Sequence, residues 1–258
     1  MGKTKKTAQS INSSQTEKAP QKILEVKNLS RVFADGTKAL DGVSFCVNQN
    51  DFVVVAGSNG SGKSVLMSLI AGLDQPSSGT VDVLKGFEAG LSFQDADAQI
   101  LGQTPWQDVM FGAKNLGLDK KAAALLCQDA LKKVGLLDKK DFNARTLSGG
   151  EKRRLCVAGI LALGRQLIIF DEPFANLDWP GVQQTTAIMR ELKAQKKTVI
   201  VLTHEIEKVL ALANRLIVLD KGKIRFDGTP AAGLKFNLEE CGIKNPLVSY
   251  KKLEDLQW

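Results

Sequence analysis

The residues best placed to do chemistry form a glycine-rich run that fits the phosphate-loop pattern G-x-x-x-x-G-K-[ST]. The run is Gly57-Ser58-Asn59-Gly60-Ser61-Gly62-Lys63-Ser64, and Val65 follows it. Its glycines let backbone N–H groups converge on phosphate oxygens, and a helix N-terminus adds partial positive charge. Lys63 is expected to reach the β- and γ-phosphates, and the Ser64 hydroxyl to bind Mg²⁺. A chance glycine-rich turn is the alternative, but it does not explain why an apolar strand pattern precedes the run and a helix pattern follows it.

Two adjacent acids form a second chemical signal. Asp171 and Glu172 follow the apolar run Leu167–Phe170, so they stand at the C-terminal end of a predicted strand. Open α/β sheets bind ligands at that end. Asp171 is expected to hold Mg²⁺, directly or through water, and Glu172 to orient and deprotonate an attacking water. The alternative is that both acids are ordinary surface residues at a strand end. The presence of a phosphate loop in the same chain makes this alternative the less favoured one.

A third segment is Leu147-Ser148-Gly149-Gly150-Glu151. Ser148 and Glu151 have the spacing of a helix capping box. That interpretation leaves the paired glycines unexplained, because each costs about 1 kcal/mol relative to Ala in a helix. Backbone N–H groups that must approach a phosphate closely would explain them.

The pattern around these segments alternates between strands and helices. Ile23–Val26 and Val43–Val47 are predicted to be strands, and Phe52–Ala56 is a continuous apolar run typical of a strand buried on both faces. Later in the chain, Thr198–Thr203 is predicted to be a strand and Ile206–Ala213 a helix. Such alternation favours a mainly parallel sheet with helices on both faces. A helical middle, roughly residues 102–150, interrupts it.

Composition and charge limit the function classes. The 258 residues are 43% hydrophobic and 24% charged, which suits a globular α/β protein, and no apolar run approaches the ~18 residues of a membrane span. The net charge of +7 is concentrated in the first residues, so residues 1–21 are expected to be a disordered basic tail. That tail is either simply solvated or attracted to anionic lipid or nucleic acid. Aromatics are only 6%, which does not favour a nucleic-acid surface, and the four scattered cysteines suit a reducing compartment.

Taken together, these motifs resemble those of the ABC ATPases. Leu147–Glu151 is similar to the family's LSGGQ signature, with Glu in place of Gln, and the phosphate loop and acid pair correspond to its Walker A and Walker B motifs. Three further elements follow the family's order: Gln94 as the Q-loop, Ala175-Asn176-Leu177-Asp178 as the D-loop, and Thr203-His204-Glu205 as the H-loop.

The resemblance implies a fold and a domain organisation. The fold is an α/β P-loop NTPase of the ABC ATPase type, with a mainly parallel RecA-like core sheet, an N-terminal antiparallel β part and a helical signature subdomain. The ATPase domain is expected over residues 22–230, with the helical subdomain at about 102–163. Residues 231–258 are expected to form a C-terminal extension.

The resemblance also implies roles for individual residues. His204 is expected to hydrogen-bond the γ-phosphate, and Gln94 to sense Mg²⁺ and couple to a membrane partner, so these two join Lys63 and Glu172 as catalytic residues. Phe33 falls where the family places an aromatic that stacks on adenine, although it could instead pack against Leu40 or Val43. Ser148, Gly149, Gly150 and Asp178 are expected to contact ATP, with the signature of one chain covering the ATP bound by another.

Several details are similar to the energy-coupling-factor ATPases, which power vitamin and metal-ion uptake. Phe93-Gln94-Asp95-Ala96-Asp97-Ala98-Gln99 is close to that group's FQNPDxQ, although Asp95-Ala96 replaces Asn-Pro. Glu151-Lys152-Arg153-Arg154 also extends the signature as in that group. The expected partners are a second ATPase chain, identical or paralogous, and membrane subunits, which implies a peripheral position on the cytoplasmic side of the cell membrane. The remaining alternatives are another ABC transporter class or a soluble ABC protein.

A docking face for the membrane subunits is expected around Gln94 and the helical middle. The apolar residues that support it are Ile100, Leu101, Trp106, Val109 and Phe111. Several of these could equally belong to the core.

Overall fold

The computed structural model describes residues 21–93 and 95–248. Three predictions therefore concern residues outside the described part: the basic tail apart from Gln21, the Q-loop residue Gln94, and residues 249–258 of the expected C-terminal extension. Within the described residues, no helix is long and apolar enough to cross a membrane.

The chain alternates between strands and helices, as its pattern predicts. The nine strands of the described part are β1 (Lys22–Val32), β2 (Lys38–Asn48), β3 (Phe52–Ala56), β4 (Ser78–Val83), β5 (Ala89–Ser92), β6 (Leu167–Asp171), β7 (Thr198–Thr203), β8 (Arg215–Asp220) and β9 (Lys223–Gly228). The α-helices are α1 (Lys63–Ile70), α2 (Ala96–Gln99), α3 (Pro105–Lys114), α4 (Lys120–Lys133), α5 (Gly149–Ala162), α6 (Trp179–Ala194) and α7 (Pro230–Gly233).

The larger sheet has six strands in the order β5-β6-β7-β3-β8-β9. All neighbouring strands run parallel except the edge pair β8 and β9. β3 lies between β7 and β8, and all five of its residues are buried. Because side chains alternate across a strand, Val54 packs in an apolar cluster with the helical middle and Val53 in a second cluster on the opposite face. The sheet is therefore covered on both faces, which explains the continuous apolar run.

The smaller sheet is antiparallel, in the order β2-β1-β4. It packs with α1 against the second face of the large sheet, through residues such as Leu24, Leu40 and Leu66. β1 and β2 extend well beyond the predicted Ile23–Val26 and Val43–Val47. Their pairing shifts register near Leu29 and Arg31, and such irregularities interrupt the simple alternation that marks a strand in sequence.

The predicted helix over Ile206–Ala213 is wrong. This segment forms two short 3₁₀ turns, Ile206–Lys208 and Leu210–Leu212, separated by Val209 at φ −138°. Neither turn has a side-chain cap, and the β-branched Val209 adopts an extended φ that ends the helical geometry.

Residues after α7 pack into the core beside the large sheet. Leu238, Cys241 and Ile243 are buried in the same cluster as Val54 and Val218. Between them, Gly242 has φ +68° and lies so close to the phosphate loop that a Cβ there would stand 3.0 Å from Ser58 Cβ. The chain beyond residue 230 thus buttresses the loop that the sequence assigns to phosphate binding.

Arg215, at the start of β8, ties the two sheets together. Its Nε and Nη2 donate to Asp227 Oδ1 and Oδ2, each at 2.6 Å, and its Nη1 donates to the Cys46 carbonyl on β2. Two parallel bonds of this kind fit the planar guanidinium fork, which a single ammonium cannot reproduce.

We expect Arg215→Met to lower the free energy of unfolding by about 1–3 kcal/mol, because hydrogen bonds to charged groups contribute on that scale. The measurement is urea denaturation followed by circular dichroism. Lys133→Met, which removes an exposed pair with Asp129, is the matched control and should change stability by less than ~0.5 kcal/mol. Equal effects of the two substitutions would contradict a special role for Arg215.

Candidate active site

The phosphate loop joins the C-terminal end of β3 to the first turn of α1, as predicted. Gly62 has φ +103°, and a Cβ on it would stand 2.4 Å from the Ala39 carbonyl oxygen. A Cβ on Gly57 would stand 2.5 Å from the Leu219 carbonyl oxygen. Both contacts are with backbone, which cannot move aside easily. These two glycines are therefore required by the fold of the loop as well as by any phosphate.

Lys63, Glu172 and His204 meet at the mouth of this loop. Lys63 Nζ donates to the carbonyls of Gly57 at 2.7 Å and Ser58 at 3.0 Å, and lies 3.3 Å from Glu172 Oε1. His204 Nδ1 lies 3.0 Å from Glu172 Oε2. Lys63 and Glu172 are buried, whereas His204 is half-exposed. The structure thus brings together the predicted cation from the start of α1, the predicted base after β6 and the histidine after β7.

The neighbouring acid, Asp171, has the environment of a cation ligand. Burial raises the pKa of the Asp171 carboxyl, an effect that a hydrogen bond from the Ser64 side chain opposes. Its Oδ1 atom is buried without a hydrogen-bond partner. A buried carboxylate oxygen without a hydrogen-bond partner needs a cation or a donor. The Asp171 carboxylate and the Ser64 hydroxyl together offer oxygen ligands, which Mg²⁺ prefers.

Among the described residues, no group of three or more His, Cys, Asp or Glu side chains could hold a metal by itself. Mg²⁺ commonly takes only one or two protein oxygens and completes its coordination with phosphates and water. The Ser64 and Asp171 pair therefore fits Mg²⁺ that arrives with a nucleotide.

A cavity of about 370 Å³ opens above the loop. Its lining includes Glu172, His204 and seven of the predicted nucleotide-binding residues: Phe33, Asn59, Gly60, Gly62, Lys63, Ser64 and Val65. Phe33 stands at its rim with 41% of its surface exposed and the Arg31 guanidinium 5.4 Å from its ring centre. Phe33 is therefore not part of the core, and stacking of its ring on a flat base stays a prediction. Ser61, within the loop, does not line this cavity and is buried with an unpaired hydroxyl oxygen.

The signature segment starts α5, and its capping box is present. Ser148 Oγ accepts from Glu151 N, and Glu151 Oε2 accepts from Ser148 N at 2.9 Å. Glu can replace Gln here because the box needs only an acceptor at that position. Lys139 and the Ser148 backbone N–H together hold the pKa of the Glu151 carboxyl below its usual range. Ser148, Gly149 and Gly150 do not line the cavity above the phosphate loop.

The D-loop contains a non-glycine residue in the left-handed backbone region. Asn176 has φ +59°, and Asn is among the few residues that tolerate this region. Asp178 is exposed and caps α6, because its Oδ1 accepts from Gly181 N at 2.9 Å. It does not line the cavity above the phosphate loop of its own chain. Trp179, the next residue, is 71% exposed.

The segment around Gln94 is held by Asp95 and Gln99 from its own motif and by Asp108, which the sequence did not single out. Gln94 itself lies outside the described residues. Asp95 caps α2, as Asn would, and Gln99 braces the segment by accepting from Phe93 N at 3.1 Å and donating to Leu91 O at 2.8 Å. Asp108 on α3 accepts from the N–H groups of Leu101 and Gly102, and burial raises the pKa of its carboxyl.

The predicted docking residues divide between core and surface. Val109 is fully buried, while Ile100 and Trp106 are partly buried against the core. Leu101 and Phe111 are exposed, by 70% and 56%. Leu101 lines a groove of about 690 Å³ between the α2 segment and residues 143–145, with Asp97 and Arg145 at its edges.

Comparison with known proteins is consistent with this site. The model of the ABC transporter family matches residues 40–175. The energy-coupling factor transporter ATP-binding protein EcfA of Carboxydothermus hydrogenoformans is 37% identical over 246 residues, covering 91% of each chain. The cobalt import ATP-binding protein CbiO of Rhodobacter capsulatus is 35% identical over 242 residues, covering 88% of this chain and 86% of CbiO.

A solved structure shows the same fold. cbiO1 from Clostridium perfringens, described as part of the ABC transporter complex cbiONQ, superposes with a TM-score of 0.76 at 30% identity. The match covers 83% of this chain and 91% of that one.

The geometry of Lys63 gives a direct test of nucleotide binding. We expect Lys63→Ala to weaken ATP binding by ~100-fold, because truncating one partner of a buried hydrogen-bonded charge pair costs about 2–5 kcal/mol. Isothermal titration calorimetry would measure the dissociation constant. Lys121→Ala, which removes the same charge from the exposed start of α4, should leave it within ~2-fold. Unchanged affinity in the Lys63 variant would show that this loop does not hold the phosphates.

Proposed function

Because this chain belongs to the ABC transporter family of ATP-binding proteins, we propose that it is the ATP-hydrolysing subunit of an energy-coupling factor importer for a vitamin or a metal ion. The curated relatives EcfA and CbiO, which cover nearly its whole length, support this group. The single observation that carries the catalytic assignment is the meeting of Lys63, Glu172 and His204 at the phosphate loop.

The residues at the mouth of the phosphate loop would have separate roles in ATP hydrolysis. Lys63, which here donates to its own loop carbonyls, would turn to the β- and γ-phosphates when ATP enters. That exchange releases Glu172 Oε1 to accept a proton from the attacking water. His204, bonded to the other carboxylate oxygen, fixes the orientation of Glu172 and lies where a γ-phosphate oxygen could accept from its ring. Phe33 would stack on the base at the rim of the cavity.

Ser64 and Asp171 would hold the Mg²⁺ that accompanies the nucleotide, and this ion neutralises phosphate charge. Asp171 contributes the unpaired Oδ1, whose burial makes it costly to leave without a cation. Gln94 remains a proposed further ligand.

Two chains are needed to complete the site. The signature residues Ser148–Gly150 and the D-loop Asp178 stand apart from the cavity that their own chain provides. They would therefore cover the ATP of a second ATPase chain, identical or paralogous. The exposed Trp179 beside Asp178 supports a face that is covered in the dimer, since aromatic residues are enriched at interfaces. ATP would join the two chains, and hydrolysis would release them.

The groove at Leu101 is the proposed docking site for a membrane subunit, at the cytoplasmic side of the cell membrane. It combines an exposed apolar side chain with Asp97 and Arg145 at its edges, so it suits a short helix that presents both apolar and charged residues. It also adjoins the Gln94 segment, which connects docking to the nucleotide site.

Replacing the proposed base tests hydrolysis separately from binding. We expect Glu172→Gln to lower kcat by at least ~100-fold while ATP affinity changes little, because Gln keeps the shape and the acceptor for Lys63 but cannot take a proton. A coupled ATPase assay measures kcat, and size-exclusion chromatography with Mg²⁺-ATP should show a trapped dimer. The exposed Glu191→Gln on α6 is the control. Turnover at the unmodified rate would remove Glu172 from the role of base.

Docking can be tested at the most exposed groove residue. Leu101→Glu should reduce recovery of this chain with the membrane subunits by ~10-fold or more, since a charge enters an apolar contact, while ATP binding persists. Leu125→Glu, at a similarly exposed Leu on α4 outside the groove, is the matched control and should co-purify normally. Normal recovery of the Leu101 variant would place the docking surface elsewhere.

A further inference from the structure

Arg153 is a buried cation that the proposed mechanism does not use. It lies on α5, one turn after the signature residues, and only 9% of its surface is exposed. Across the described parts of the chain, no carboxylate oxygen lies within ion-pair distance of its guanidinium. A buried charge is costly unless hydrogen bonds compensate for lost water, so its partners indicate why it is there.

Those partners are two backbone carbonyls of the catalytic segment. Nη1 donates to the Glu172 carbonyl at 3.0 Å, and Nη2 donates to the Ala175 carbonyl at 2.6 Å. One guanidinium thus spans the residue proposed as the base and the first residue of the D-loop. Bonds from a charged donor are stronger than neutral ones, and the planar fork fixes the direction of both.

The segment that Arg153 holds is conformationally unfavourable. Glu172 has φ +44° and Asn176 has φ +59°, so two non-glycine residues within one turn adopt the left-handed region. This conformation costs Glu172 on the order of 1–2 kcal/mol and Asn176 less, because Asn tolerates the region better. Such residues persist only where neighbours hold them. Glu172 N donates to the Leu202 carbonyl at 2.9 Å, which anchors the peptide on the side of β7. Arg153 supplies the anchor on the opposite side, from the signature helix.

We propose that Arg153 is a positioning residue that aligns the Glu172 carboxylate and links the signature helix to the D-loop of the same chain. The inference rests on the proposed function, in which the signature covers ATP in the partner chain. A shift of α5 on that ATP would move the Arg153 fork and, with it, the Glu172 backbone. Arg153 therefore connects the two ATP sites of the dimer without touching either nucleotide.

The test separates positioning from simple stability. Full-length Arg153→Met should lower kcat by ~10- to 100-fold, because small displacements of a catalytic group cost about that much, while KM and the dissociation constant for ATP stay within ~2-fold. Arg153→Lys should recover part of kcat, because one ammonium can still reach one carbonyl. Arg190→Met, which removes an exposed arginine on α6, should leave kcat unchanged.

A double-mutant cycle adds a second readout. If Arg153 acts through Glu172, then adding Arg153→Met to Glu172→Gln should cost almost nothing further in residual activity. Full additivity would overturn the proposal, as would a normal kcat in Arg153→Met or a parallel loss of ATP affinity. Failure of both Arg153 variants to show a cooperative thermal transition would also overturn it, by assigning the residue to fold stability.

Failure of this inference is distinguishable from failure of the proposed function. If the unmodified chain hydrolyses ATP and Glu172→Gln does not, the proposed function stands whatever Arg153→Met does. If the unmodified chain does not hydrolyse ATP, alone or with its partners, both proposals fall together.

Discussion

The parallel pairing of β3, β6 and β7 is the constraint on which the site depends. Ala56 pairs with Thr203, and Asp171 pairs with Leu202, so the three strands end at the same edge of the sheet. The residue after β3 is Gly57, the residue after β6 is Glu172 and the residue after β7 is His204. The common edge therefore brings a phosphate loop, an acid and a histidine within hydrogen-bonding reach. Both faces of these strands are covered by apolar residues, which prevents a slip in register that would separate the three groups. Burial of both faces of the sheet thus fixes the positions of the catalytic groups at its edge.

At this edge the charge of Lys63 is paired within the chain before any ligand is considered, whereas Asp171 is not fully paired. Lys63 is paired with the Glu172 carboxylate and donates to two loop carbonyls. These oxygens occupy the place beside Lys63 that phosphate oxygens would take. Asp171, in contrast, keeps an unpaired oxygen. A nucleotide with its cation would satisfy both groups at once, since phosphate replaces the carboxylate beside Lys63 and the cation pairs with Asp171. Binding would then replace the ion pair of Lys63 with Glu172 by an ion pair of Lys63 with phosphate. Because Lys63 is already out of water, this exchange limits the desolvation cost of binding in a buried site.

The sequence predicted those features that require particular residue types next to each other in the chain. The phosphate loop and the acid pair are readable because their chemistry tolerates few substitutions, and the alternation of strands and helices revealed the mainly parallel sheet. Arg153 was not assigned a role, because its partners are backbone carbonyls. Every residue has a backbone carbonyl, so the amino-acid types do not reveal such a contact. Val109 and Leu101 could not be separated as core and surface, since both are simply apolar until the helices are packed. The turns over 206–213 were missed because their apolar residues mimic a helical stripe without its caps.

The strand order also determines how this chain must be made. β3 is synthesised early, yet the backbone just before it bonds to Thr198, 148 residues later, and Phe52 bonds to Asn214, 162 residues later. At ribosomal rates of about 5–20 residues per second, this apolar strand waits roughly 7–30 s for its neighbours. During that time its backbone ladder groups lack their native partner strands, β7 and β8, and such segments are prone to pair with other chains. Production of this protein is therefore expected to depend on chaperones that shield the nascent β3 until the last strands emerge.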